Sequence, residues 1–279
     1  MRHSAAKTVL SAAAVLLAGA MVFAQPVLKA RADFQLFQKD TLTSRTYPVS
    51  GAFTSIEIDE TVSDVKIAYD AKGDARVVCR EFTNHPHTVT VENGVLTISL
   101  ESSSFYTSDD TDPELTLYLP GTEYENLSFS SSTGDLETSS RLTFGAVQAE
   151  TTTGDVEIAG KVTGALDIST TTGDIELKGL QAGAVQAEAT IGGIDLEQVT
   201  VAGSAALTTT TGDIDLEDVT AASLTAETST GDIELEWVTI NGNASLTTSS
   251  GNIELRQYTV TGSSQVESAH GRVRTDWDF

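Results

Sequence analysis

The sequence predicts an all-β fold: a single-stranded parallel β-solenoid (β-helix) with about 19–20 residues per coil, entered through an irregular β lead-in region. Three observations carry the prediction. A glycine followed in most copies by aspartate recurs at Gly134, Gly154, Gly173, Gly192, Gly212, Gly231, Gly251 and Gly271, spaced 20, 19, 19, 20, 19, 20 and 20 residues apart. Two and four positions after each glycine stand mostly Ile, Leu or Val, with an acid between them in every coil but the last, as in "GDIEL" at 173–177. Seven and five positions before it stand two further mostly apolar columns, Leu127 and Phe129 in the first coil and Leu166 and Ile168 in the third. Strict alternation marks strands with one wet face, and no 3.6-residue spacing competes with it.

Taken in order, residues 1–32 open with Arg2 and Lys7, followed by an uncharged run from Thr8 to Leu28. That is the form of a signal peptide or of an N-terminal membrane anchor, and both readings stay open. Residues 33–50 read as a tether. Residues 51–126 form the irregular lead-in, with strand-like runs "FTSIEID", "SDVKIAY", "ARVVCREF", "HTVTVENGVLTISLE" and "ELTLYLP". Asn93-Gly94 between two alternating runs signals a hairpin. Asp64-Val65-Lys66-Ile67 echoes the coil motif, so winding begins there. Cys79 reads as a small apolar strand residue. His85-Pro86-His87 reads as a loop without further metal ligands nearby, and Asp109, Asp110, Asp112 and Glu114 as a solvated acidic loop.

Residues 127–279 make eight regular coils, each a strand, a tight turn, a second strand and a looser return. One coil buries four or five apolar side chains, worth ~1.5–3 kcal/mol each. Ordering its backbone costs about 1–2 kcal/mol per residue, so a lone coil does not fold and a stack does. In several coils a large residue in one column accompanies a small one in the other, as filling a narrow shared interior requires. The turn glycines supply a backbone angle that a Cβ strains. The flanking Thr and Asp supply side-chain oxygens for turn amides. In the last coil Arg272 and Arg274 replace the acids, and Trp277 and Phe279 follow. These four read as a cap over an otherwise bare last strand.

Function is constrained more by exclusion. With 40 acidic against 16 basic residues, the formal net charge is -24, which excludes nucleic acid as partner and leaves contact with membrane to the N-terminal segment alone. One cysteine excludes an intramolecular disulfide framework. No catalytic or cofactor-binding motif stands out, and no cofactor is expected. Asp135, Asp155, Asp174, Asp213 and Asp232 would stack along one edge, where neighbouring carboxylates repel by about 1 kcal/mol in water. Divalent cations would condense loosely there, but one Asp per coil does not make a calcium cage.

"DVKI", then "LTLYLPGTEYENLSFSSSTGDLE", then serial "TTGDIEL" coils resemble the bacterial putative-adhesin family, a β-solenoid domain of unknown function in exported and membrane-tethered proteins. The resemblance spans roughly residues 50–279. It implies a non-enzymatic module of the cell surface or envelope, whose acidic, Thr/Ser-rich face binds a glycan, a protein or a cell-wall component. It brings no catalytic residues. The alternatives are a polysaccharide lyase or glycosidase on a β-helix and a regulatory module of envelope stress. The mid-solenoid coils carry almost no Lys or Arg, which a lyase needs beside its calcium.

Overall fold

A computed structural model describes residues 41–100 and 113–275; the predicted export segment, Trp277 and Phe279, and Asp109, Asp110 and Asp112 lie outside them. All regular structure among the described residues is β, so no helix there is long and apolar enough to cross a membrane.

The eight glycine motifs fall in successive coils that stack in parallel and in register. The first buried column runs Leu127, Val147, Leu166, Val185, Ala205, Leu224, Ala244 and Ser264. Beside it run Phe129, Ala149, Ile168, Ala187, Leu207, Ala226, Leu246 and Val266. The second column alternates large and small, so each bulky side chain sits over an alanine, and the apolar members of both columns through Leu246 are buried. After the turn, the row from Leu136 through Ile253 is likewise buried. In the final coil Val273 is exposed, since no described strand covers it.

The return segment is more regular than the sequence suggests. Val162, Ala182, Val201, Ala221, Ile240 and Val260 pair coil to coil as a third row. A register shift follows the row in three of these ladders, as between Ala182 and Val185, and absorbs the difference between 19- and 20-residue coils. A second corner lies six residues after the glycine. There Gly160 and Gly179 adopt positive φ, and in later coils so do Gln198, Asp218, Trp237 and Gln257.

The lead-in contributes two further rungs, out of chain order. Strand β1 spans Leu42–Pro48, β2 Ser55–Glu60, β3 Asp64–Tyr69 and β4 Arg76–Phe82. Strand β5 spans Thr88–Glu92, β6 Val95–Ser99, β7 Glu114–Leu119 and β8 Glu123–Thr133. β2 pairs in parallel with β8, placing Ile56 on Leu127 and Ile58 on Phe129, and β3 places Val65 on Leu136. The motif at Asp64 therefore is a coil, stacked directly before that of Gly134. On its other side β6 and β7 pair in parallel with β2 and β3 and make the outermost rung. That rung is closed by antiparallel strands: β5 through the Asn93-Gly94 hairpin, β4 against β7, and β1 against β4. Residues 42–48, read from the sequence as part of a tether, are thus a strand of the fold. Antiparallel closure protects the open edge of a parallel stack.

Candidate functional site

The recurrent Thr-Gly-Asp proves to be an inter-coil joint. A Cβ at Gly212 would stand 2.0 Å from the carbonyl oxygen of Gly192 in the preceding coil, and Gly212 also holds φ at 153°. The glycine is therefore required twice, by backbone angle and by close approach. One residue on, the Asp135 carboxylate accepts the backbone N–H of Asp155 at 2.7 Å, Asp155 that of Asp174 at 2.7 Å, and Asp174 that of Gly193 at 2.7 Å. The ladder resumes from Asp213 to Asp232 and from Asp232 to Asn252. Three residues before the glycine, a buried hydroxyl donates to the glycine carbonyl of the coil before: Thr209 to Gly192 and Thr228 to Gly212, each at 2.9 Å. Coil 185–196 lacks these features, carrying Ala189, Ile191 and Gly193 where neighbours carry Thr, Thr and Asp. Ile191 is among the few large apolar side chains left exposed.

The acids that the sequence places three residues after the glycine point outward beside a second outward row five residues after it. Asp195, Asp215, Glu234 and Glu254 stack in register, as do Glu197, Glu217 and Glu236, continued by Arg256. Burial, then Asp195 and Glu234 beside it, pushes the Asp215 carboxyl up to about 6. Asp195 rises for the same reasons, burial first and Glu176 next. Cations bound the row: Lys178 on Glu176 at one end and, at the other, Arg256 2.9 Å from Glu254. Arg274 of the predicted cap lies 2.7 Å from Glu254, and the Arg272 amide donates to Asn252. Together these rows make a continuous acidic face on the stacked parallel strands.

Next to that face, Trp237 occupies a corner with positive φ and is 54% exposed. With Thr239, Leu255, Gln257, Tyr258, Thr259 and Thr275 it lines a groove of about 440 Å³. The repeat pattern does not mark it, because an aromatic side chain in the corner column departs from the glycine that earlier coils place there.

A third constellation lies in the lead-in, where the sequence offers only a loop histidine without nearby ligands. The fold brings Glu60 of β2, Cys79 and Glu81 of β4 and Tyr47 of β1 around His87, and His87, Glu60 and Glu81 are all buried. His87 Nδ1 lies 2.5 Å from Glu81 Oε2, and His87 Nε2 lies 2.8 Å from Glu60 Oε1. Tyr47 donates its hydroxyl to Glu81 at 2.6 Å, and Arg45 Nε lies 3.2 Å from the same carboxylate. Burial alone would lower the imidazole's proton affinity, but Cys79 and Glu60 outweigh it and hold His87 protonated well above its ordinary range. Burial also works to raise Glu81, yet the hydrogen bonds from Tyr47 and His87 bring it below the usual carboxylate range. Tyr47 is pushed up to about 12 by burial and by its bond to Glu81. Cys79 and Glu81 alternate onto one face of β4 and His87 follows six residues on, a local spacing the sequence reading passed over; Glu60 and Tyr47 come from strands that meet β4 only after folding.

Residues 53–276 match the family described as Toastrack DUF4097. Among solved structures, a putative adhesin from Parabacteroides merdae is similar over 84% of this chain and 96% of that one, at 17% identity and a TM-score of 0.61. A putative lipid binding protein from Parabacteroides distasonis is similar over 84% and 96%, at 19% identity and a TM-score of 0.57. A putative adhesin from Bacteroides fragilis is similar over 84% and 97%, at 18% identity and a TM-score of 0.51. At such identities the likeness is one of fold. No curated protein matches the chain.

Proposed function

The chain belongs to the Toastrack DUF4097 family, and from that premise we propose that it is a non-enzymatic β-solenoid of the bacterial surface or envelope that binds through its acidic, hydroxyl-rich face. The observation that carries the reading is the in-register stacking of Asp195, Asp215, Glu234 and Glu254 beside Glu197, Glu217 and Glu236. Equal chemistry repeated at ~4.8 Å intervals suits an extended, multivalent partner with basic or hydroxyl-rich repeats. It suits catalysis poorly, because no carboxylate pair is set apart from the pairs above and below it. Two structures of similar fold carry the name putative adhesin, which agrees with this reading. Export follows from the basic, then apolar N-terminal segment, which delivers or anchors the solenoid outside the cytoplasmic membrane.

The test is binding of the purified protein to arrays of glycans, matrix proteins and cell-wall fragments, alongside adherence of a deletion strain. A quadruple variant, Asp215→Asn with Glu217→Gln, Glu234→Gln and Glu236→Gln, should lose binding at least tenfold and with it the salt dependence. Wild-type adherence by the deletion strain, together with no binding on any array, sinks the adhesin reading.

A further inference from the structure

The buried cluster around His87 has no part in an exposed binding face, and its chemistry points elsewhere. Cys79 Sγ, a Glu81 carboxylate oxygen and a His87 ring nitrogen all lie within 4.8 Å of one another, each residue buried. Glu60 supplies an independent sign. Its side chain is sealed from solvent; Oε1 stands 2.8 Å from His87 Nε2, while Oε2 has no hydrogen-bond donor. A buried carboxylate left in that state is costly, and such atoms mark a missing ion or water.

We propose that this cluster is a buried binding site for one zinc ion, with Cys79, Glu81 and His87 as its three protein ligands, one position left for water, and Glu60 orienting the imidazole from its other nitrogen. Thiolate, imidazole and carboxylate together are the donor set of a borderline-soft divalent cation rather than of calcium or magnesium. The ring is flanked by a carboxylate at each nitrogen: Glu81 at Nδ1, to share the metal, and Glu60 at Nε2, to accept the remaining N–H. A tetrahedral zinc holds its N and O ligands roughly 3.3 Å apart, so Glu81 retreats by under about 1 Å from its present 2.5 Å contact. The bound ion would tie β1, β2 and β4 and the start of β5 together at the closed end of the stack.

The experiment uses the full chain, purified in mild detergent, stripped with a chelator and titrated with zinc and, separately, with cobalt. Zinc should bind at one equivalent per chain and raise the thermal midpoint by on the order of 5 °C at a hundredfold excess over its Kd. Cobalt should develop a thiolate charge-transfer absorption. Cys79→Ser should abolish that band, and Glu60→Gln should weaken zinc binding about 10–100-fold while leaving the stoichiometry at one. His85→Ala should change nothing. If the stripped protein is folded by circular dichroism but takes up no stoichiometric zinc, the proposal is overturned. It is equally overturned if the cobalt spectrum shows no thiolate, or if His85→Ala abolishes binding. The wild-type cobalt spectrum decides the matter even if a cluster variant fails to fold.

Discussion

At the scale of single residues, the turn glycines carry the tightest constraint. Gly212 combines φ of 153° with a would-be Cβ 2.0 Å from the Gly192 carbonyl. Gly212→Ala is expected to cost at least about 3 kcal/mol, from strain plus displacement of the neighbouring coil. Gly179 offers the contrast: its φ is 56°, but nothing lies within 4 Å of the point a Cβ would occupy. The chain itself places Gln198, Asp218, Trp237 and Gln257 at the equivalent corner. Gly179→Asn should therefore cost under about 1 kcal/mol, since Asn tolerates the left-handed region. Urea denaturation of both variants checks the pair, and equal losses would mean that close approach does not distinguish the two corners. The sequence exposed the glycine period in full. It could not show that the first corner is crowded and the second open, because crowding depends on the coil above.

At the scale of the element, two polar ladders beside the backbone pairing join coils along the stack, the hydroxyl one starting at Thr170, since the Thr151 hydroxyl has no hydrogen-bond partner. Coil 185–196 breaks both: Ala189 brings no hydroxyl to the Gly173 carbonyl, and Gly193 brings no carboxylate to the Asp213 amide. Ala189 lies buried between Thr170 and Thr209, which pair with it in register. Ala189→Thr should restore the hydroxyl ladder and add about 0.5–1.5 kcal/mol, raising the thermal midpoint by roughly 2–4 °C. A lowered midpoint in calorimetry would show instead that the shaft there has no room for the extra atoms. The coil columns, their large and small alternation and the hairpin at Asn93-Gly94 were all legible in the sequence, since each is a local period or a turn signal. The third row along the return was not read, although Ala182, Val201, Ala221, Ile240 and Val260 each stand nine residues after a turn glycine; alanine at two of these positions makes the column faint.

At the scale of the molecule, stacking turns one acid per coil into a field. Asp215 reports it: its carboxyl, raised to about 6 by burial and by Asp195, Glu234, Asp213 and Asp232, holds its proton more tightly folded than unfolded. The sign follows from linkage. Between about pH 4 and 6 the native state binds more protons, so this group's contribution to stability falls as pH rises through that window. Asp215→Asn should thus be more stable than wild type above pH 6, by no more than about 1 kcal/mol because water reaches the outward row and screens the neighbouring charges, and the advantage should vanish below about pH 4. Thermal midpoints of both proteins across that range measure it, and a difference independent of pH would refute the coupling. Added salt should shrink the difference as well, because the repulsion acts across water.

The sequence by itself determined the solenoid, its coil length, the inward and outward faces and the acidic rows, because a repeat writes the same local rule many times over and side chains alternate along each strand on both sides of the glycine turn. Tertiary structure alone decided the order of the first rungs and the company of His87. Ile56 meets Leu127 and Asn126 meets Ser55 across 71 positions, and Tyr47 and Glu60 reach Glu81 and His87 from strands whose pairings skip and reverse chain order. Such meetings are set by which edges remain open once the coils have stacked, a condition that belongs to the assembled core and to no stretch of the chain.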